Sequence, residues 1–233
     1  MKSKINAIIF DLGGTLLEYV GLDLNWYDLY NKAFKYVSTS LALDLHREDI
    51  EAAKTVLKKY NPRINPREVE YHSDKVFSEV IETWKQSRYT ANDIAKHFYR
   101  FFQKKIRVYP ETPQVLRAIH NKGIKLGILS DLPVGMPDEL MRDEVSAFNW
   151  PINCILTSQQ VGFRKPHLEG YSRAAVELKC APENCIFIGD EEKDVVGANK
   201  AGMVSVLLDR NGHNRNFGQR YTIVSLTELM SLI

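Results

Sequence analysis

The strongest constraint on the fold is a series of short apolar runs separated by helical patterns. Most of these runs are bounded by Gly, Pro, Asn or Asp, as strands buried in a parallel sheet are. The six runs are Ile5–Phe10, Ile124–Leu129, Ile152–Leu156, Cys185–Ile188, Val204–Leu208 and Tyr221–Val224. Strands that alternate with helices in this way predict an α/β fold with a doubly wound, Rossmann-like parallel sheet.

The helical patterns between the later runs carry start and stop residues. Thr112 followed by Pro113 is typical of an N-cap and the first helical position, and Gly123 and Gly202 lie where helices commonly end. A further helix is expected over Asp138–Ala147, inside a segment (132–151) that is longer than most connections and whose role the sequence leaves open. The other predicted helices are Thr112–Asn121, Leu168–Leu178 and Asp194–Ala201.

The segment 17–106 differs from the rest of the chain because it has helical patterns and no convincing strand. It holds 15 of the 24 aromatic residues, which predicts that most of these rings pack a small helical bundle. Inserted after the first strand, such a unit would lie over the carboxyl ends of the strands, where open α/β sheets bind ligands. We therefore expect an α/β core of residues 1–16 and 107–233 and a helical unit of residues 17–106.

Composition predicts a soluble, cytoplasmic globular protein of 233 residues, 44% of them hydrophobic. No run approaches the ~18–20 apolar residues of a membrane span, and Asp11 interrupts the first run too early for a secretory signal. Three cysteines are too few for a disulfide framework and suit a reducing compartment. Because 31 basic residues nearly balance 29 acidic ones, nucleic-acid binding is not expected.

Polar residues that could carry chemistry directly follow the first two strands of the predicted core. The run Asp11–Thr15 (DLGGT) combines a carboxylate with glycines whose backbone N–H groups suit an anion. On its own, this Asp could equally cap a turn. The next run is followed by Ser130-Asp131, where the hydroxyl could hold a phosphate oxygen or close a turn.

Two further polar groups follow later strands. Lys165 lies in GFRKP before a predicted helix, and Pro166 favours an extended lysine whose ammonium could neutralise a carboxylate and a phosphate. A solvated loop lysine is the alternative. In Gly189–Asp194 (GDEEKD), several carboxylates gather at one strand end. Such a cluster is either a solvated acidic loop or an oxygen-ligand site of the kind that Mg²⁺ prefers.

Taken together and in this order, the four groups resemble the motifs of the haloacid dehalogenase-like hydrolases. The resemblance covers Ile5–Thr15 and Val108 to about Leu208, and the helical insertion resembles the C1 cap of that family. It implies a Mg²⁺-dependent phosphatase that forms a covalent aspartyl phosphate. The implied substrate is a small phosphorylated metabolite, and the implied state is a monomer or homodimer without nucleic-acid or membrane partners.

The resemblance also implies roles for individual residues. Asp11 matches the nucleophile, Lys165 the lysine that spreads its charge over nucleophile and phosphate, and Asp194 a supporting carboxylate. The residues expected to bind the phosphate are Gly14, Thr15, Ser130, Asp131 and Lys165. The residues expected around the metal are Asp11, Gly13 through its carbonyl, Asp190 and Asp194.

Gly13 departs from the family pattern, in which phosphatases usually carry a second Asp at this position as general acid and base. General acid–base catalysis contributes ~10²–10⁴-fold, so its loss threatens the turnover of poor leaving groups more than it threatens binding. The sequence leaves open a catalytically weak or regulatory phosphate-binding protein, or a hydrolase of C–halogen or C–P bonds. Candidate replacement acids are Glu18, Tyr19, Asp23 and His72.

Two other protein classes fit less well. A signalling receiver also combines an Asp, a hydroxyl and a lysine on a doubly wound sheet, but receivers are much shorter and their Asp does not follow the first strand. A dinucleotide-binding domain is not supported, because no G-x-G-x-x-G follows any predicted strand.

Overall fold

The computed structural model describes residues 5–22, 26–84, 88–103 and 106–233. Within these ranges the strands are β1 (Ala7–Phe10), β2 (Leu17–Tyr19), β3 (Ile106–Val108), β4 (Lys125–Ser130), β5 (Cys154–Thr157), β6 (Cys185–Gly189), β7 (Val204–Leu208) and β8 (Tyr221–Ile223). The α-helices are α1 (Tyr30–Ser40), α2 (Arg47–Tyr60), α3 (Ser73–Glu82), α4 (Ala91–Gln103), α5 (Thr112–Asn121), α6 (Asp138–Ala147), α7 (Ser158–Val161), α8 (Leu168–Glu177) and α9 (Glu192–Lys200).

Six strands form one parallel sheet in the order β5-β4-β1-β6-β7-β8. Each of the six apolar runs contains or overlaps one of these strands, so the predicted sheet is confirmed. The chain fills one side of β1 with β4 and β5 and then returns to the other side with β6. The order of the strands therefore reverses around β1, which is where open α/β sheets bind ligands.

The sheet is buried because its strands are apolar on both faces. All four residues of β1 are fully buried, as expected for a central strand covered by helices on both sides. On one face, Tyr171 of α8 packs against Phe187 of β6 with 4.7 Å between ring centroids. This aromatic contact lies in a larger apolar cluster that also includes residues of β1, β4, β5 and α9.

The chain divides into two compact units. Unit 1 contains the large sheet and comprises Met1–Glu18, Arg107–Asp131 and Val145–Ile233, and unit 2 comprises Tyr19–Ile106 and Leu132–Glu144. This division differs from the expected boundaries at Leu132–Glu144, which lies in unit 2 rather than with the rest of 107–233. The reason is local packing, because the Tyr99 hydroxyl donates to the Val134 carbonyl and Lys96 pairs with Glu139 at 3.0 Å.

The described core of unit 2 is built from aromatic rings on its helices. Phe98 is fully buried at its centre, with neighbouring ring centroids between 4.8 and 5.6 Å away. This packing confirms that these aromatic residues serve the helical bundle. The rings around Phe98 are Tyr30, Phe34, Phe77, Tyr99 and Phe102.

Three local expectations need correction. The segment 17–106 does contain strand residues, since β2 and β3 at its ends form a two-stranded sheet. Strands of three residues are too short to produce a recognisable alternation of polar and apolar residues. The N-cap of α5 is Glu111 rather than Thr112, because the Thr112 hydroxyl donates to the Leu16 carbonyl instead. Finally, α9 begins at Glu192, two residues before the predicted start.

The glycines predicted to end two helices are confirmed, because Gly123 and Gly202 both adopt the left-handed conformation, at φ 76° and 74°. A residue with a side chain is strained in this conformation. Among the described residues, no helix combines the length and the apolar character that crossing a membrane requires.

We predict that Gly197→Ala destabilises unit 1, although alanine is normally the better helix former by ~1 kcal/mol. The added Cβ would lie 2.3 Å from the Tyr171 ring, which is held by a hydrogen bond to the Lys193 carbonyl. Overpacking of this kind costs about 1–3 kcal/mol, measurable by urea unfolding. Gly170→Ala is the matched control, since its Cβ would come closest to the terminal methyl groups of Leu129, at 2.9 and 3.1 Å. An equal loss of the free energy of unfolding in both variants would contradict this prediction.

Candidate functional site

Three neighbouring strands of the large sheet bring polar residues to the same edge. Asp11 directly follows β1, Ser130 ends β4 and Asp190 directly follows β6. Because β4 and β6 are the two parallel neighbours of β1, their carboxyl ends lie side by side. The order of the strands thus gathers three groups that are far apart in sequence, and unit 1 alone supplies them.

The ammonium of Lys165 lies between two carboxylates at this edge. Its Nζ donates to Asp11 Oδ1 and to Asp194 Oδ1, each at 2.6 Å. Burial by itself would lower the pKa of Lys165, but Asp11 and Asp194 raise that pKa well above its ordinary value. Lys165 is therefore a fixed cation in a buried place, and the solvated-loop alternative is excluded for it.

Asp11 keeps one carboxylate oxygen available for a ligand. Its Oδ1 accepts from Lys165, and no hydrogen bond to Oδ2 occurs within the described ranges. Burial raises the pKa of Asp11 to about 6, and the positive charge of Lys165 opposes a larger rise. Near neutral pH this carboxyl group is therefore mostly ionised, which a nucleophile or a metal ligand must be.

Asp190 is the carboxyl group of the site whose burial is least compensated by hydrogen bonds or opposite charge. Its Oδ1 is buried and has no hydrogen-bond partner in the described part of the chain. Burial, with the added repulsion of Asp11 and Asp194, raises the pKa of Asp190 to about 8. A buried polar atom without a partner is unfavourable, and a cation at this point would relieve both the desolvation and the repulsion.

The donor set fits a magnesium ion. Oxygens of Asp11, Asp190 and Asp194 all lie within 4.8 Å of one another, and carboxylate oxygens are the ligands that Mg²⁺ prefers. Asp194 contributes differently from the other two, because its Oδ1 accepts from Lys165 and its Oδ2 from the Glu191 N–H. Asp11 and Asp190 therefore offer the free oxygens, and Asp194 supports the lysine.

Two glycines permit the loops that carry Asp11, Asp190 and Asp194 to approach one another closely. A Cβ on Gly14 would lie 2.4 Å from Asp190 Oδ2, and Gly14 also has a φ of 80°. A Cβ on Gly189 would lie 2.2 Å from the Asp194 carboxyl carbon. Both positions therefore require glycine for steric reasons. Their presence in DLGGT and GDEEKD is a consequence of how tightly these loops pack.

The loop after β1 offers different N–H groups from those expected. The Gly14 N–H donates to the Leu17 carbonyl and the Thr15 N–H to the Leu12 carbonyl. Thr15 is also fully buried, including its hydroxyl. The N–H groups of Leu12 and Gly13, by contrast, have no hydrogen-bond partner among the described residues. The Gly14 and Thr15 N–H groups are therefore engaged within the turn, which leaves those of Leu12 and Gly13 available to a ligand.

Sequence reasoning missed the side chain of Asp131 as part of the site. Its Oδ1 accepts the Lys165 backbone N–H at 3.0 Å, and its Oδ2 lies 2.9 Å from the Lys193 ammonium. Burial alone would raise the pKa of Asp131, but Lys193, Arg164 and Lys165 hold it well below its ordinary value. A lysine within an otherwise acidic run was the available signal for this contact.

None of the candidate replacement acids is singled out by its surroundings. Glu18 pairs with Arg107 at 2.6 Å, and Tyr19 and His72 belong to unit 2. His72 serves as the N-cap of α3, where its ring accepts the Asp74 N–H. Asp23 lies outside the described residues. The group that would replace the acid missing at Gly13 stays a prediction without an assigned residue.

Comparison with known proteins adds independent information. The model of a hydrolase family, haloacid dehalogenase-like hydrolase, matches residues 5–202. The glyceraldehyde 3-phosphate phosphatase of Methanopyrus kandleri is 28% identical over 209 residues, which span 88% of this chain and 84% of that protein. The pyrophosphatase PpaX of Anoxybacillus flavithermus is 24% identical over 239 residues, which span 99% and 97%.

Solved structures support the fold. A HAD phosphatase from Thermococcus onnurineus superposes with a TM-score of 0.66 at 21% identity, covering 98% of this chain and 97% of its own. A 2-haloacid dehalogenase from Pseudomonas syringae pv. Tomato DC3000 reaches a TM-score of 0.69 at 16% identity, with the same coverage. At these identities the similarity establishes the architecture and leaves the reaction open.

We predict that Asp190→Asn stabilises the metal-free protein increasingly as pH rises. A carboxyl whose pKa is about 8 when folded, against 3.8 ordinarily, binds more protons in the folded state, so folding loses stability between about pH 4 and pH 8. Asparagine does not titrate and avoids this loss. In EDTA, the Tm advantage of the variant should grow by a few degrees from about pH 5 to about pH 9.

Asp44→Asn is the control, because the Asp44 side chain is 95% exposed. A Tm difference between Asp190→Asn and the parent protein that does not change with pH would contradict the electrostatic account of Asp190.

Proposed function

The chain belongs to the haloacid dehalogenase-like hydrolases, and we propose that within this family it is a Mg²⁺-dependent phosphatase acting through an aspartyl phosphate. The observation that carries the proposal is the buried Lys165 ammonium, 2.6 Å from each of two carboxylates. The same edge of the sheet also carries the Ser130 hydroxyl and the unsatisfied carboxylate of Asp190. Fixed charges of both signs around a strand end suit phosphoryl transfer, which depends on positioning and charge stabilisation.

Asp11 is the proposed nucleophile. Its carboxylate attacks phosphorus, an O–P bond forms, and the bond from phosphorus to the leaving oxygen breaks. The leaving oxygen departs as an oxyanion and takes a proton from water. Water then attacks the phosphorus of the aspartyl phosphate, which releases inorganic phosphate and restores the carboxylate. Lys165 donates to Asp11 Oδ1 and thereby fixes the orientation of the carboxylate.

The proposed phosphoryl contacts come from three loops. Two of the proposed donors lie at the end of β4, the Ser130 hydroxyl and the Asp131 N–H. The N–H groups of Leu12 and Gly13, in the loop after β1, are the further proposed donors, because unpaired N–H groups of such a loop suit a bound anion. Lys165 supplies the positive charge, and because its pKa is raised well above the ordinary value, it keeps that charge throughout the pH range of the reaction.

The proposed metal ligands are Asp11, Asp190 and the Gly13 carbonyl, with Asp194 supporting them through Lys165 and the Glu191 N–H. When bound, Mg²⁺ supplies positive charge that stabilises the phosphoryl oxygens. The role of the protein is to hold the carboxylates close together, which Gly14 and Gly189 make sterically possible.

The proposed substrate is a small phosphorylated metabolite. Support comes from relatives that are named glyceraldehyde 3-phosphate phosphatase and pyrophosphatase. Glyceraldehyde 3-phosphate and inorganic pyrophosphate are therefore the first compounds to test after a chromogenic substrate. We propose a cytoplasmic protein that acts on this substrate as a monomer or homodimer.

Gly13 favours a second candidate function, hydrolysis of a carbon–halogen bond. Halide leaves without a proton, so this reaction does not need the acid that glycine cannot supply. The clustered carboxylates of Asp11, Asp190 and Asp194 favour the phosphatase instead, since repelling carboxylates are more useful around a cation than without one.

We predict that Asp11→Asn lowers the hydrolysis of p-nitrophenyl phosphate by more than about 10³-fold. The amide cannot act as the nucleophile, yet it keeps the size of the side chain. p-Nitrophenolate leaves without a proton, so the assay does not depend on the acid missing at Gly13. Asp44→Asn, whose side chain is 95% exposed, should retain the parent rate, and EDTA should suppress the parent rate until Mg²⁺ is added back.

Two results would count against the proposal. Equal rates for Asp11→Asn and the parent protein would remove Asp11 from the reaction. Full activity on a 2-haloacid in EDTA, with none on phosphate esters, would support the carbon–halogen alternative.

We predict that Gly13→Asp accelerates hydrolysis of an alkyl phosphate at least about tenfold more than hydrolysis of p-nitrophenyl phosphate. An alkoxide needs a proton and p-nitrophenolate does not, and a general acid contributes ~10²–10⁴-fold where protonation matters. Gly13 is not among the glycines with positive φ, so its backbone admits a side chain. Gly13→Asn is the matched control, and an equal effect of both substitutions would exclude acid catalysis as the cause.

A further inference from the structure

One lysine in the motif after β6, Lys193, has no part in the mechanism proposed above. Its ammonium lies 2.9 Å from Asp131 Oδ2 and 3.4 Å from Glu191 Oε2. The second oxygen of Asp131 accepts the Lys165 backbone N–H at 3.0 Å. A single buried carboxylate therefore connects the end of β4, the loop that carries Lys165 and the first turn of α9.

The charge on Asp131 needs compensation at this place. The Asp131 side chain is 7% exposed, and burial would raise its pKa if Lys193, Arg164 and Lys165 did not lower it. Lys193 makes the closest side-chain contact, since Arg164 lies 3.9 Å away. Removing one partner of a buried ion pair is strongly unfavourable, because the other charge is left uncompensated.

Lys193 is itself fixed in position. Its carbonyl accepts the Tyr171 hydroxyl at 3.0 Å, and Tyr171 is fully buried against the sheet. The next residue, Asp194, holds the Lys165 ammonium at 2.6 Å. Two consecutive residues of α9 thus hold the two ends of Lys165. Asp194 binds its ammonium, and Lys193 binds Asp131, which accepts the Lys165 backbone N–H.

We infer that Asp131 and Lys193 are positioning residues that fix the loop of Lys165, and with it the site of its ammonium beside Asp11. The inference rests on the proposed function, in which this ammonium stabilises the transferring phosphoryl group. Charge stabilisation in the transition state is sensitive to small displacements, and a shift of about 1 Å can cost ~10²-fold in rate. Substitution of residues one contact removed from the reacting groups commonly lowers activity ten- to hundredfold.

Lys193→Met tests the charge, because methionine keeps most of the length of the side chain. We expect kcat for p-nitrophenyl phosphate to fall roughly ten- to hundredfold, while KM changes by less than about threefold. Lys200→Met is the matched control on the same helix, where the exposed Lys200 should be replaceable without effect. A kcat for Lys193→Met within about twofold of that control would overturn the inference.

Substitutions at Asp131 separate charge from hydrogen bonding. Asp131→Asn removes the charge but keeps an oxygen that accepts the Lys165 N–H, whereas Asp131→Ala removes both. Adding Asp131→Asn to Lys193→Met should recover most of the lost kcat, and adding Asp131→Ala should not. Effects that simply multiply in the double variants would show that the residues do not act as a pair. Should Lys193→Met fail to fold, the two single variants of Asp131 test the inference instead. Equal losses of kcat in Asp131→Asn and Asp131→Ala would show that the hydrogen bond from the Lys165 N–H does not position this loop.

A readout independent of turnover separates this inference from the proposed function. Amide hydrogen exchange over residues 162–168 should be faster in Lys193→Met and Asp131→Ala than in the parent protein, because the Lys165 N–H loses a fixed acceptor. An inactive parent protein would defeat the proposed function, and the exchange comparison would still test the positioning. Unchanged exchange in both variants would overturn it.

Discussion

The ion contacts of Lys165 with Asp11 and Asp194, at 2.6 Å each, are the interaction on which the rest of the site depends. Burying any one of these charges alone would cost several kcal/mol, so each is tolerable only because the others are present. The three residues come from the end of β1, the loop before α8 and the first turn of α9. The parallel sheet is what brings them together, and their mutual compensation in turn fixes the loops at its edge.

The balance of charge at this edge is incomplete within the protein. Three carboxylates and one ammonium leave a surplus of two negative charges among Asp11, Asp190, Asp194 and Lys165. Burial, together with this surplus, raises the pKa of Asp190 to about 8, and a proton is one way to reduce the surplus. A divalent cation of the kind proposed would balance it fully. Steric necessity reinforces the arrangement, since Gly14 and Gly189 allow the loops to approach more closely than any side chain would permit.

Much of this could be predicted from the sequence because it depends on local patterns. Apolar runs ending in polar residues located the strands, and their parallel pairing implied that Asp11, Ser130 and Asp190 would meet. The contact of Asp131 with Lys193 could not be predicted as a pair. Lys193 stands out within its acidic run, but nothing in the sequence points to a partner 62 positions away. The same holds for Leu132–Glu144, which packs with unit 2 through individual side-chain contacts. The internal hydrogen bonds of Gly14 and Thr15 depend on how one turn closes.

The most direct test of Asp11 as the nucleophile is to identify the residue that receives the phosphoryl group. The protein would be mixed with a ³²P-labelled phosphomonoester and Mg²⁺, quenched in acid within the first turnover, and digested for peptide mapping. Acyl phosphates are labile to hydroxylamine, whereas phosphoserine is not. We expect hydroxylamine-sensitive label on the peptide that contains Asp11, and none in Asp11→Asn. Label on another residue, or hydrolysis without any covalent label, would contradict the proposed mechanism.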